Sequence, residues 1–102
     1  MSAAERAHAT LVEHCSEAQR AATPRELRVV VQGREYQIEP SGPVAAVVRS
    51  LSTYRAFPMA VVNARRAVLP AADCMLAAKL LLEADETAFI LAARRCGVVW
   101  LD

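Results

Sequence analysis

The stretch Thr87-Ala88-Phe89-Ile90-Leu91-Ala92-Ala93-Arg94-Arg95-Cys96-Gly97-Val98-Val99-Trp100-Leu101-Asp102 is the one on which the fold turns. Its unbroken apolar run, Thr87 to Ala93, predicts a central strand covered on one face by a helix. Gly97 then has two readings. It is either the exposed terminus of a domain followed by a free tail, or a turn that sends Val98-Val99-Trp100-Leu101 back as a further strand. The elements upstream bear on that choice.

Before it, Glu83-Ala84-Asp85-Glu86 reads as a solvated acidic turn. Residues 74–82 read as a helix with Met75, Ala78 and Leu82 on one face and Asp73 as its cap. Pro58-Met59-Ala60-Val61-Val62-Asn63 is a short apolar run of strand type. Ala64-Arg65-Arg66 turns the chain, and Val68-Leu69 suits a brief edge strand before Pro70. Pro43 at a first helical turn, with Val44, Val47, Val48, Leu51 and Tyr54 on one face, predicts a helix to about residue 55. From Glu26 to Glu39 the apolar period is two: Leu27, Val29 and Val31, then Tyr36 and Ile38. Gln32-Gly33-Arg34 between them marks a hairpin turn. Pro40-Ser41-Gly42 breaks that sheet. Residues 3–22 carry Ala4, Ala7, Leu11, Cys15, Ala18 and Ala22 at helical spacing, with Ser2 and Glu5 as a capping box. Thr23-Pro24 ends that helix.

The resulting order, strand-strand-helix-strand-(strand)-helix-strand, is α+β. It is the order of a ubiquitin-like β-grasp with an added N-terminal helix, in which the first and last strands lie parallel in the middle of the sheet. Ferredoxin-like and other α+β sandwiches compete with it. The division that follows is a helical extension over 1–24, a β-grasp domain over 25–97 and a C-terminal tail over 98–102.

Composition narrows the function. The chain has 102 residues, enough for one core, and a formal net charge of +1. That charge gives no general attraction for nucleic acid or acidic membranes, so neither is expected as a partner. Cys15, Cys74 and Cys96 form no CxxC pair and no zinc spacing with His8 and His14. Free thiols and the absence of a signal-peptide pattern or a membrane-length apolar run point to a cytoplasmic protein without an integral membrane segment.

No catalytic constellation emerges, and no cofactor or metal is expected. His8 and His14 fall on different faces of their helix. Gly33 and Gly42 are turn glycines, not a phosphate loop. Cys96 beside Arg94 and Arg95 reads as an ordinary thiol or as one that its two arginines activate, the first being the plainer reading. Arg65-Arg66 and Arg94-Arg95 are either solvated rims or contacts for an acidic partner. Gly97 has a mechanism open to it. A carboxylate activated as an acyl-adenylate and passed to cysteine thiols is approached most easily when its residue has no Cβ.

Val62-Asn63, then Leu69-Pro70, a short helix, a terminal strand and Gly97 resemble the C-terminal half of the autophagy ubiquitin-like modifiers. The resemblance is to the autophagy-related protein 12 type first and the autophagy-related protein 8 type next, and it covers roughly residues 26 to 97. It implies joining of Gly97 to a lysine of a partner protein in support of lipidation during autophagosome formation. Its implied partners are activating and conjugating enzymes and a protease cutting between Gly97 and Val98. The pattern departs from the family at Cys96, where an aromatic residue is usual, and in the residues beyond Gly97.

Three functions follow as expectations. The first is a conjugated modifier acting through Gly97. The second is a non-conjugated interaction module that binds by a sheet edge or apolar face, with Val98 to Leu101 as a strand and Trp100 buried. The third is a sulfur carrier of cofactor synthesis, a group that ends in Gly-Gly where this chain has Cys96-Gly97.

Overall fold

The computed structural model describes residues 2–17, 19, 25–52 and 59–101. Helix α1 spans Ala3–Glu13, followed by strands β1 (Leu27–Val31), β2 (Arg34–Ser41), β3 (Ala45–Ser50) and β4 (Ala60–Ala64). Helices α2 (Ala71–Ala84) and α3 (Glu86–Cys96) then lead to β5 (Val98–Leu101). The fold is α+β: a five-stranded mixed sheet in the order β1-β2-β3-β4-β5, with three helices among the described residues. Neighbours from β1 to β4 are antiparallel, and β5 lies parallel to β4 after the helical crossover.

The hairpin forms where the two-residue period predicts it. Leu27, Val29, Tyr36 and Ile38 are buried, and Gln32 and Gly33 both have positive φ, 50° and 78°. Two positive angles in succession are those of the tight turn whose twist suits a hairpin.

β3 replaces the helix expected from residue 43 to about 55. Valine at the helical spacing 44, 47, 48 fits a strand equally well, and Ala45 to Val48 are all buried. β-Branched residues pack well on a pleated surface. Pro43 sits in the turn between β2 and β3 instead of opening a helix. Pro40 does not break the sheet, since β2 continues to Ser41 and Pro40 pairs with Ala46. β2 there runs past the paired part of β1, where the missing proline N–H loses no ladder bond.

α3 replaces the strand expected at 87–93. Asp85 caps it, its carboxylate accepting from the Ala88 N–H at 3.1 Å, and the buried residues Glu86, Phe89, Ile90 and Ala93 recur at helical spacing. The acidic stretch is a junction between two helices, with Glu86 buried instead of solvated. α2 begins at Ala71, so Asp73 lies in its first turn; Met75, Ala78 and Leu82 share the buried face as expected. Val68-Leu69 forms no strand, and Val68 is exposed.

These changes alter the topology. β1 and β5 are the opposite edges of the sheet, not its adjacent centre as a β-grasp requires. The buried sheet face (Leu27, Val29, Tyr36, Ile38, Ala46, Val48, Ala60, Val62, Val99) packs against Cys74, Met75, Ala78 and Leu82 of α2 and Phe89, Ile90 and Ala93 of α3. Leu11 of α1 and Cys15 join the same core. The Ser2–Glu5 capping box is present, whereas Ala4 is exposed. The expectations for Ala18, Ala22, Thr23-Pro24, Tyr54, Pro58 and Asp102 lie outside the described residues.

Candidate functional site

α3 has two chemically opposite ends. At its N-terminus the Glu86 carboxylate accepts from Arg34 Nε at 2.8 Å, from Arg34 Nη2, and from the Tyr36 hydroxyl at 2.5 Å. Arg34 Nη2 also donates to Gln32 at 3.1 Å. Burial, then the bond to Glu86 and its charge, push the Tyr36 phenol up to about 12. The bond to Glu86 holds the Arg34 guanidinium more firmly charged than usual. The network ties the helix to the start of β2. A carboxylate in a helix's first turn also opposes the positive end of the helix dipole.

At the other end Arg94 and Arg95 occupy the last turn and are exposed. Gly97 follows with φ 73°, the left-handed conformation that closes many helices, and its N–H bonds the Ala93 carbonyl at 2.9 Å. Of the two readings of Gly97, the turn is the one observed. Its carbonyl accepts from the Val61 N–H at 2.8 Å, and the Leu101 carbonyl accepts from the Arg65 N–H at 2.8 Å. Val98 to Leu101 are thereby a strand of the sheet, with Val99 in the core.

The carbonyls of Gly97 and Leu101 point to β4. By the alternation of a strand, the N–H and C=O groups of Val98 and Trp100 point away from β4, to the side on which no other strand pairs among the described residues. The Cys96 thiol lies 3.4 Å from the Val98 carbonyl. Trp100 is 45% exposed, unlike the buried indole expected of an added strand, and the Arg65 guanidinium lies 5.4 Å from its ring centroid. A cleft of about 180 Å³ runs beside it, mostly apolar, its lining including Leu81, Ala88, Phe89, Val99 and Trp100 together with the acidic Asp85. Arg65 and Arg66 are exposed just beyond β4, level with the far end of β5. Among the described residues no carboxylate lies within ion-pairing distance of Arg65, Arg66, Arg94 or Arg95. In space the two arginine pairs therefore lie towards opposite ends of β5, Arg94 and Arg95 before its start and Arg65 and Arg66 beyond the β4 residue that pairs with its end.

Reactive groups elsewhere are spoken for. Cys15 is buried with its thiol donating to the Leu11 carbonyl, and burial beside Asp73 pushes the Cys74 thiol up. Lys79, the chain's single lysine, is buried and bonded to Glu83 at 2.8 Å. His14 Nδ1 lies 2.9 Å from the Thr10 carbonyl. No cluster of metal-ligating side chains occurs among the described residues, and no helix there is long and apolar enough to cross a membrane.

Sequence reasoning singled out the four arginines and Gly97 but missed the Arg34–Tyr36–Glu86 network. The only signal for that network was an acidic residue opening an apolar helix, and it was obscured once the helix was read as a strand. No family model, curated protein or solved structure matches the chain.

Proposed function

We propose that the chain is a protein-interaction module without chemistry of its own, docking a partner along the open edge of β5. The observation that carries the reading is an edge strand whose outward Val98 and Trp100 backbone groups, exposed indole and neighbouring apolar cleft lie together. Edge strands that are not blunted invite pairing with another chain.

Conjugation through Gly97 asks more of this fold. Release of residues 98–102 would remove β5, withdraw Val99 from the core and break both bonds that join its ends to β4. The β-grasp order that made Gly97 a terminus outside the sheet is also the order from which this sheet departs. The test is the mass of the protein recovered from its own cell. Docking predicts a C-terminus that retains Val98 to Asp102 and no covalent adduct. A chain ending at Gly97 with an adduct that disappears in Gly97→Ala would establish the conjugated modifier instead, and a thiocarboxylate at Gly97 the sulfur carrier.

A further inference from the structure

We infer, resting on the edge-docking reading, that the occupant of β5 is an extended acidic segment of a partner protein, added to the sheet as a further strand. The backbone decides the kind of polymer. Trp100 turns both its N–H donor and its C=O acceptor away from β4, and Val98 adds an N–H beside a carbonyl that already accepts from the Cys96 thiol at 3.4 Å, a mixed donor and acceptor set that another peptide backbone matches. A phosphodiester backbone has acceptors only and leaves the Trp100 carbonyl without a donor.

Charge decides the sequence of the segment. Arg94 and Arg95 precede β5, while Arg65 and Arg66 lie beside its far end. Four strand residues at about 3.3 Å each separate the two pairs by roughly 13 Å. An incoming strand with a carboxylate near each end of a four- or five-residue β-branched core meets a guanidinium at both ends, whichever direction it runs. Guanidinium–carboxylate bonds are among the stronger polar contacts.

The same charges exclude a second copy of this chain. A two-fold pairing of β5 with β5 is antiparallel, so Arg94 and Arg95 of one copy would face Arg65 and Arg66 of the other. Like charges so placed are a device against self-association.

The experiment uses the full chain and three synthetic peptides with one Thr-Val-Thr-Val-Thr core, flanked on both sides by Glu-Asp, Gln-Asn or Lys-Arg. The readout is the amide NMR shifts of Val98 and Trp100. The expected result is binding of the Glu-Asp peptide about tenfold or more tighter than the Lys-Arg peptide, weakening as salt rises. Arg65→Glu, Arg66→Glu, Arg94→Glu and Arg95→Glu combined should reverse the preference, with an unfolding midpoint confirming the fold. Equal shifts with all three peptides would overturn the acidic partner while sustaining the docking edge. So would dimerisation through β5 in sedimentation. Tighter binding of oligothymidylate than of the Glu-Asp peptide would overturn the peptide partner. No shift with any probe would overturn both the inference and the reading beneath it.

Discussion

The two ends of α3 dispose of charge in opposite ways. At the N-terminal end the Glu86 carboxylate is 5% exposed and bonded to Arg34 and Tyr36, so the fold consumes it. At the C-terminal end Arg94 and Arg95 are exposed, beside a strand that is an edge of the sheet among the described residues. The negative pole of the helix accounts for arginines in its last turn. It does not account for Arg65 and Arg66, which lie outside any helix. The contrast separates charge that secures the fold from charge left exposed, to which the docking proposal gives a use, and on that proposal substitutions at the two ends fail in different assays.

The largest effect belongs to the closed end. Glu86→Ala leaves the buried Tyr36 hydroxyl without its acceptor and breaks a largely buried ion pair, which should cost about 3 kcal/mol of stability. Chemical denaturation measures it. A loss no greater than that of a surface substitution would erase the distinction between the ends.

The same network has a pH signature. Tyr36 is raised in the folded state from 10 to about 12, so the neutral phenol is the form that folding favours. Its contribution is complete below pH 10 and is lost as pH rises through about 12. In a Tyr54→Phe background, tyrosinate absorbance should therefore titrate late in the folded protein. Glu86→Gln should bring the midpoint down, because the carboxylate's charge and acceptor are among its causes. A midpoint at the ordinary tyrosine value in the parent would show that the phenol is not held as described.

How far the sequence foretold this division depends on which physical signal each segment carries. Leu27 to Ile38 was legible because alternation with a glycine turn has one solution. Met75, Ala78 and Leu82 were legible because they recur at helical spacing in a run made almost wholly of strong helix formers, alanine, leucine and lysine. Ala45 to Val48 and Ala88 to Ala93 were read in reverse, helix for strand and strand for helix. A continuous apolar run has no period, and burial on both sides of β3 removes the polar positions that would reveal one. Alanine is a strong helix former, and Ala88, Ala92 and Ala93 with Asp85 at the cap were the clues to α3. The site suffered accordingly. Its arginines and Gly97 were visible as residues, but the edge they flank exists only once α3 returns the chain to β4.

Gly97 joins the two regions, and its substitution has a smaller, purely conformational effect. A Cβ there meets nothing within 4 Å, but φ is +73°. Gly97→Ala should therefore cost about 1 kcal/mol through backbone strain alone. Gly97→Asn should cost less, since asparagine tolerates the left-handed region. Urea midpoints for the two variants check the ranking. Equal losses would mean that something other than the turn fixes this position.

Trp100→Ala should have the smallest effect on stability and the clearest effect on docking. The indole is 45% exposed and its stack with Arg65 lies at the surface, so unfolding should change by no more than about 0.5 kcal/mol. Docking differs, because an aromatic ring beside an apolar cleft supplies contact area that a partner strand would bury. The variant should retain the parent unfolding curve while weakening the Glu-Asp peptide severalfold, with Val98 and Trp100 backbone contacts remaining to hold it weakly. A large loss of stability would make the indole part of the core and place the open end beside the closed one. Undiminished peptide affinity would confine docking to the backbone edge and the arginines, and the cleft would then have no part in choosing the partner.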